Sequence, residues 1–200
     1  LLRPLHVVDL TGLTREGLHF WKNAIDALGR NASLDTIDSS WTETLAQAFE
    51  LIGEQDPQAL SVLSRYVSYL CTVETQEFRS ASHPHFFGAL FLKRVKDPVS
   101  LAVSLIHELG HQELFLVNLI DRLIPAGSDY QLAHAPYQGK SRPPIGRLHS
   151  AHALYRMIPL EEKVLPAQAV RHRDMLKKTV ASFQDGETTP FGKRILHEVY

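Results

Sequence analysis

Five consecutive residues, His107-Glu108-Leu109-Gly110-His111, concentrate the chain's capacity for chemistry. On a helix, side chains four residues apart share one face, so His107 and His111 can grip a single metal ion while Glu108 stands beside it. Asp97-Pro98 can open such a helix, and the residues from there to Ile106 are mostly good helix formers or apolar packing residues. Two imidazoles leave a mononuclear site incomplete, and the third ligand decides which chemistry is available.

His149 is the preferred third ligand, because it falls on a second predicted helix after a loop that can carry that helix across the first. His152 lies three residues later and shares its broad face. Glu161 and Glu162 are the carboxylate alternatives, since two histidines plus Glu suit a zinc peptidase in which Glu108 activates water as the general base. Tyr155 or another donor would then have to stabilise the tetrahedral oxyanion. Without a metal, the same histidines are ordinary polar residues of an amphipathic helix.

Around the motif the pattern predicts a mixed chain. Thr14 to Leu28 carries apolar residues at Leu18, Trp21, Ile25 and Leu28, close to helical spacing, with Gly29-Arg30-Asn31 as a stop. A second helix follows Asp38-Ser39-Ser40 with a face of Trp41, Leu45, Phe49 and Ile52, and Gln58 to Ser64 continues helical. Tyr66 to Cys71 reads as a strand, and so does Phe86 to Phe91 after the interruption at His83-Pro84-His85. Pro125 to Asp129 opens a long connection, through Pro136 and Gly139, that can shape a cleft. Further helices are expected over 145–155, over 167–184 and from about Thr189 to Tyr200, with a break at Ile158-Pro159-Leu160.

These elements predict an α+β fold, a predominantly helical zincin-like single domain over 1–200 with a small sheet beside the motif helix. Two hundred residues can build a core without disulfides, and 21 Lys and Arg against 22 Asp and Glu give no global field for nucleic acid or an anionic membrane. No stretch approaches the ~20 apolar residues of a membrane span. The single cysteine, Cys71, sits in an apolar run and reads as a buried free thiol; with no disulfide to form, a reducing cytoplasm fits. The start, Leu1-Leu2-Arg3-Pro4, has neither an initiator Met nor a signal pattern, which fits either an internal fragment with its N-terminal portion missing or a processed start.

The motif, the Leu114 to Leu123 region after it, and the block Arg142-Pro143-Pro144-Ile145-Gly146-Arg147-Leu148-His149 together resemble the bacterial HExxH-containing peptide-modification family, including its iron and 2-oxoglutarate-dependent peptidyl hydroxylases. The similarity extends weakly to Thr189-Pro190-Phe191-Gly192-Lys193. This resemblance implies His107, His111 and His149 as ligands of Fe(II), and Arg142 as the anchor of 2-oxoglutarate. It further implies hydroxylation of a side chain in a peptide, with a ribosomally made precursor peptide as the expected substrate. His152 departs from the aromatic residue more usual at its position.

Physically, Fe(II) accepts imidazole nitrogen while keeping exchangeable positions for an oxoacid and oxygen. An arginine fork can hold the distal carboxylate through two parallel donors. Arg147 and Arg156 compete with Arg142 for that task, and all three are otherwise solvated surface charges. Tyr137 and Tyr155 can orient oxoacid or peptide, or simply pack. In the hydroxylase Glu108 supports a ligand or a bound water rather than binding metal. Two other functions stay open on the residues alone: the zinc peptidase, and a non-enzymatic peptide-binding module whose metal is closed off by protein atoms.

Overall fold

The computed structural model describes residues 5–199, so Leu1-Leu2-Arg3-Pro4 and Tyr200 lie outside the described residues. The fold is α+β and predominantly helical. The strands are β1 (His6–Val8), β2 (Ala32–Leu34), β3 (Tyr69–Thr75), β4 (Ser80–Ala81), β5 (Ala89–Lys93), β6 (Ala133–Ala135) and β7 (Lys140–Arg142). The α-helices are α1 (Arg15–Asp26), α2 (Ser39–Gln55), α3 (Pro57–Tyr66), α4 (Pro98–Ile120), α5 (Pro144–Val164), α6 (Pro166–Ala181) and α7 (Pro190–Glu198). The chain forms two compact units, Leu1–Gln112 and Glu113–Tyr200, and the division falls within α4. Among the described residues, no helix is long and apolar enough to cross a membrane.

The first unit is built on a mixed sheet in the order β1-β3-β5-β4, with β2 also paired to β3. β1, β3 and β5 run parallel, while β2 and β4 pair antiparallel at the margins. Strand alternation divides the side chains between two faces. Cys71, Val73 and Phe91 join the cluster made with Trp21, Ala24 and Ile25 of α1. On the other face the Trp41 indole N–H donates to the Thr72 hydroxyl at 2.8 Å, bringing α2 against the sheet. With helices on both faces, β3 is buried from Leu70 to Val73 and β5 from Ala89 to Leu92, as parallel strands covered on two sides are. Burying a ring such as Phe91, 0% exposed, contributes up to about 3 kcal/mol.

The helix starts follow local chemistry. The Thr14 and Asp38 side chains accept the backbone N–H groups of Gly17 and Trp41, capping α1 and α2. Asp97 does the same for α4: its carboxylate accepts the N–H groups of Val99 and Ser100 at 3.2 and 3.0 Å and the Ser100 hydroxyl at 2.6 Å. Pro98 takes the first helical position, where a missing N–H costs nothing.

The second unit packs α5 along α6, with α7 and the β6–β7 hairpin beside α5. Four expectations are corrected. The first strand begins at Tyr69 rather than Tyr66, because α3 runs on to Tyr66. The second begins at Ala89, since Pro84–Phe86 form a 3-10 turn and Gly88 sits at φ 84°. The long connection contains β6 and β7. Pro159 does not break α5, which continues through it to Val164. A helix-interior proline removes one i→i−4 bond, that to the carbonyl of Tyr155. Buried Ile158, Leu160 and Glu161 hold the helix across the gap.

Candidate metal centre

α4 delivers the motif as its spacing predicts. The Nε2 atoms of His107 and His111 approach to 3.0 Å, and their rings stand edge to face with centroids 4.6 Å apart. One ion about 2.0–2.1 Å from each nitrogen spans that separation with an N–metal–N angle of roughly 90–100°. Glu108 is 1% exposed; its Oε1 lies 3.9 Å from His107 Nε2, and its Oε2 has no hydrogen-bond partner among the described residues. Ligand atoms of His107, Glu108 and His111 all fall within 4.8 Å of one another. A buried carboxylate oxygen without a donor is costly in an ordinary core and suited to a site that takes up a cation or a bound water. The donor set therefore fits a first-row divalent metal.

Gln112, the residue after His111, went unremarked in the sequence. It is 0% exposed and clamps α4 to the sheet: its Oε1 accepts the Gly88 N–H at 2.9 Å and its Nε2 donates to the Ala89 carbonyl at 3.3 Å. Gln112 and Glu108 are four residues apart and both buried, so they mark the inward face of α4. That shared inward spacing was the available signal. The clamp fixes the rotation of the helix, and with it the direction in which the neighbouring imidazoles point.

The other expected site residues lie in the second unit. His149, on α5, packs its ring on Phe115 with centroids 5.0 Å apart. His152 Nε2 is 3.1 Å from Glu113 Oε2, and Arg156 forms an ion pair with the same oxygen at 3.0 Å. Glu161 is 0% exposed and carries two partners: His172 Nδ1 at 2.7 Å and the Gln168 amide donating at 2.8 Å. Glu162 pairs with Arg173. Tyr137 sets its ring against His172, and the Tyr155 ring lies beside His152.

The three arginines prove unlike one another. Arg142 closes β7, half-buried, with no carboxylate partner among the described residues; a Cβ at Gly146 would lie 3.5 Å from its own Cβ. Arg156 is held by Glu113. Arg147 is 0% exposed, which corrects its reading as a solvated charge or an anchor. It donates to the Ser182 carbonyl at 2.8 Å and to Glu187 at 2.5 Å, and it lies over the Phe183 ring. The Cys71 thiol is buried and its pKa is pushed up to about 12 by desolvation, so it is a packing group rather than a nucleophile.

No protein-family model matches the chain, and no curated protein matches it.

Proposed function

We propose that the chain is an Fe(II) and 2-oxoglutarate-dependent hydroxylase of an amino-acid side chain in a peptide, with a zincin-like arrangement of helix and sheet around its metal. The observation that carries the metal assignment is the convergence of His107 and His111 Nε2 at 3.0 Å beside buried Glu108. His149 is the third ligand in this reading. The sequence resemblance supports that assignment; of the alternatives, Glu161 pairs with His172 and Gln168, Glu162 with Arg173, and His152 with Glu113. Those engagements also weigh against the zinc peptidase, whose shell would take a carboxylate from Glu161 or Glu162.

Arg142 is the group assigned to the distal carboxylate of the oxoacid, for it is a fork of donors without an acidic partner among the described residues. Tyr137 and Tyr155 are the aromatic residues assigned to orient oxoacid or peptide. Glu108 has a supporting role, orienting a bound water or a ligand imidazole. When bound, iron and the oxoacid supply oxidative decarboxylation by O2, yielding succinate and CO2 with one oxygen atom placed on the peptide. The substrate proposed is a ribosomally made precursor peptide, modified in the cytoplasm.

The test is anaerobic loading with Fe(II), followed by oxygen, 2-oxoglutarate and a broad peptide panel. Succinate should appear together with a peptide mass gain of about 16 units. Peptide fragmentation dependent on zinc would instead establish the peptidase, and absence of both succinate and the mass gain across the panel would contradict the hydroxylase.

A further inference from the structure

Glu113 stands two residues beyond His111 on α4, and the metal chemistry assigned above gives it no task. Its Oε2 lies 3.1 Å from His152 Nε2 and 3.0 Å from Arg156 Nε, so one carboxylate oxygen meets two basic side chains of α5. The Glu113, His152 and Arg156 side chains are 18%, 14% and 22% exposed. Largely withdrawn from water, these contacts are screened less than an ion pair on an open surface.

His152 and Arg156 are four residues apart and stack on one face of α5. His149 lies three residues before His152, on that same face. Its ring packs on Phe115 of α4 with centroids 5.0 Å apart. The face of α5 bearing His149 is thus held at two places by the C-terminal part of α4, at Phe115 by ring packing and at Glu113 by charge. Phe115 follows His111 at the same four-residue spacing by which His111 follows His107, which places Phe115 on the histidine face of α4.

Rotation is the variable that such a clamp controls. Successive residues of an α-helix point about 100° apart, so turning α5 by one residue would carry His149 off the face that meets α4. Ring packing alone is non-directional and tolerates slippage. A carboxylate that must reach both His152 and Arg156 does not, because only one rotation of α5 brings the pair to it.

We propose that Glu113 is a positioning residue for His149: by holding His152 and Arg156 it sets the rotation of α5 at which His149 is presented to the metal. This role rests on the reading of His149 as the third ligand, whereas the clamp itself does not depend on metal identity. Residues that orient a ligand without touching the metal are typically worth about 10–100-fold in its affinity. His152→Ala leaves Arg156 on Glu113 and should cost less than Glu113→Ala, which releases both.

The experiment is titration of the full chain with Co(II), whose visible absorption reports occupancy together with the number and geometry of its ligands. Glu113→Ala should weaken Co(II) binding about 10–100-fold and alter the band of the bound ion at saturation. Glu113→Gln keeps an oxygen to accept from His152 and should recover part of the loss. In a His149→Ala background Glu113→Ala should cause no further loss, because residues acting through one another are non-additive. Val170→Ser, at a residue 66% exposed on α6, and Asp174→Ala, which breaks the exposed pair with Lys178, should leave affinity and band unchanged. Unchanged Co(II) binding by folded Glu113→Ala would overturn the proposal, as would the same weakening with and without His149, which would make the clamp a matter of general stability. Should Glu113→Ala not fold, the smaller loss in Glu113→Gln is the quantity that must vanish without His149; no loss, or one that persists, overturns the proposal. A His149→Ala chain that binds Co(II) like the unaltered one would instead refute His149 as a ligand, and the positioning role with it.

Discussion

Gln112 accepts the N–H of Gly88 at 2.9 Å from the residue immediately after the second histidine of the metal pair. Helix rotation and strand start are therefore fixed by one buried amide. Gln112→Leu strands the Gly88 N–H and the Ala89 carbonyl, and should cost about 1–3 kcal/mol in urea unfolding. Metal affinity should fall by about 10–100-fold, the range for groups that orient ligands. Gln112→Glu should be no better, because its carboxylate brings a second acceptor to the Ala89 carbonyl. Calorimetric metal titration beside denaturation separates the two effects.

Asp97 caps the helix that carries the motif. The Ser100 hydroxyl, with the N–H groups of Ser100 and Val99, lowers its pKa below the usual 3.8 against a smaller opposing effect of desolvation. A folded-state pKa held below the unfolded one adds stability at neutral pH, and that stability is lost as pH falls from about 4 through the folded value. Asp97→Ala should cost about 1 kcal/mol at pH 7 and progressively less as pH falls below about 4. Denaturation midpoints of the two proteins across that range should converge as pH falls.

Helices with strong caps and apolar periodicity were legible in the sequence. Thr14, Asp38 and Asp97 each announce a start that the backbone then uses. The motif pair was legible for the same reason, since i,i+4 spacing acts within one element. Short strands were not: β1 and β2 have three residues each and exist through pairing with β3, which no local pattern reports. Pro159 misled because tertiary burial of its neighbours outweighs one lost hydrogen bond. Arg147 misled because its partners, Ser182 and Glu187, lie 35 and 40 residues downstream.

Arg147 and Glu187 form a buried ion pair, with Arg147 fully enclosed. Arg147→Ala leaves Glu187 desolvated without its cation and should cost about 3–5 kcal/mol. The double change Arg147→Met, Glu187→Gln removes both charges and should recover most of that loss. Chemical denaturation of the single and double variants measures the difference; equal losses would place the effect in packing over Phe183 instead.

Glu108 should show opposite effects on stability and on metal. Its Oε2 is buried without a hydrogen-bond partner among the described residues, so Glu108→Gln relieves a desolvated carboxylate and should leave the metal-free chain as stable or more stable. The same change should weaken metal binding about 10–100-fold. Thermal unfolding with chelator and with added metal reports both.

The most direct test of the account is metal stoichiometry after anaerobic equilibration with Fe(II) and removal of unbound ion. One iron per chain is expected for the unaltered protein and for Val170→Ser. Essentially none is expected for His107→Ala or His111→Ala, a loss beyond the ~10–100-fold of an outer partner. His149→Ala should also lose iron, whereas His152→Ala should retain it. Folded His107→Ala and His111→Ala proteins that hold iron as well as the unaltered chain, or an unaltered chain that holds none, would contradict a metal centre on α4.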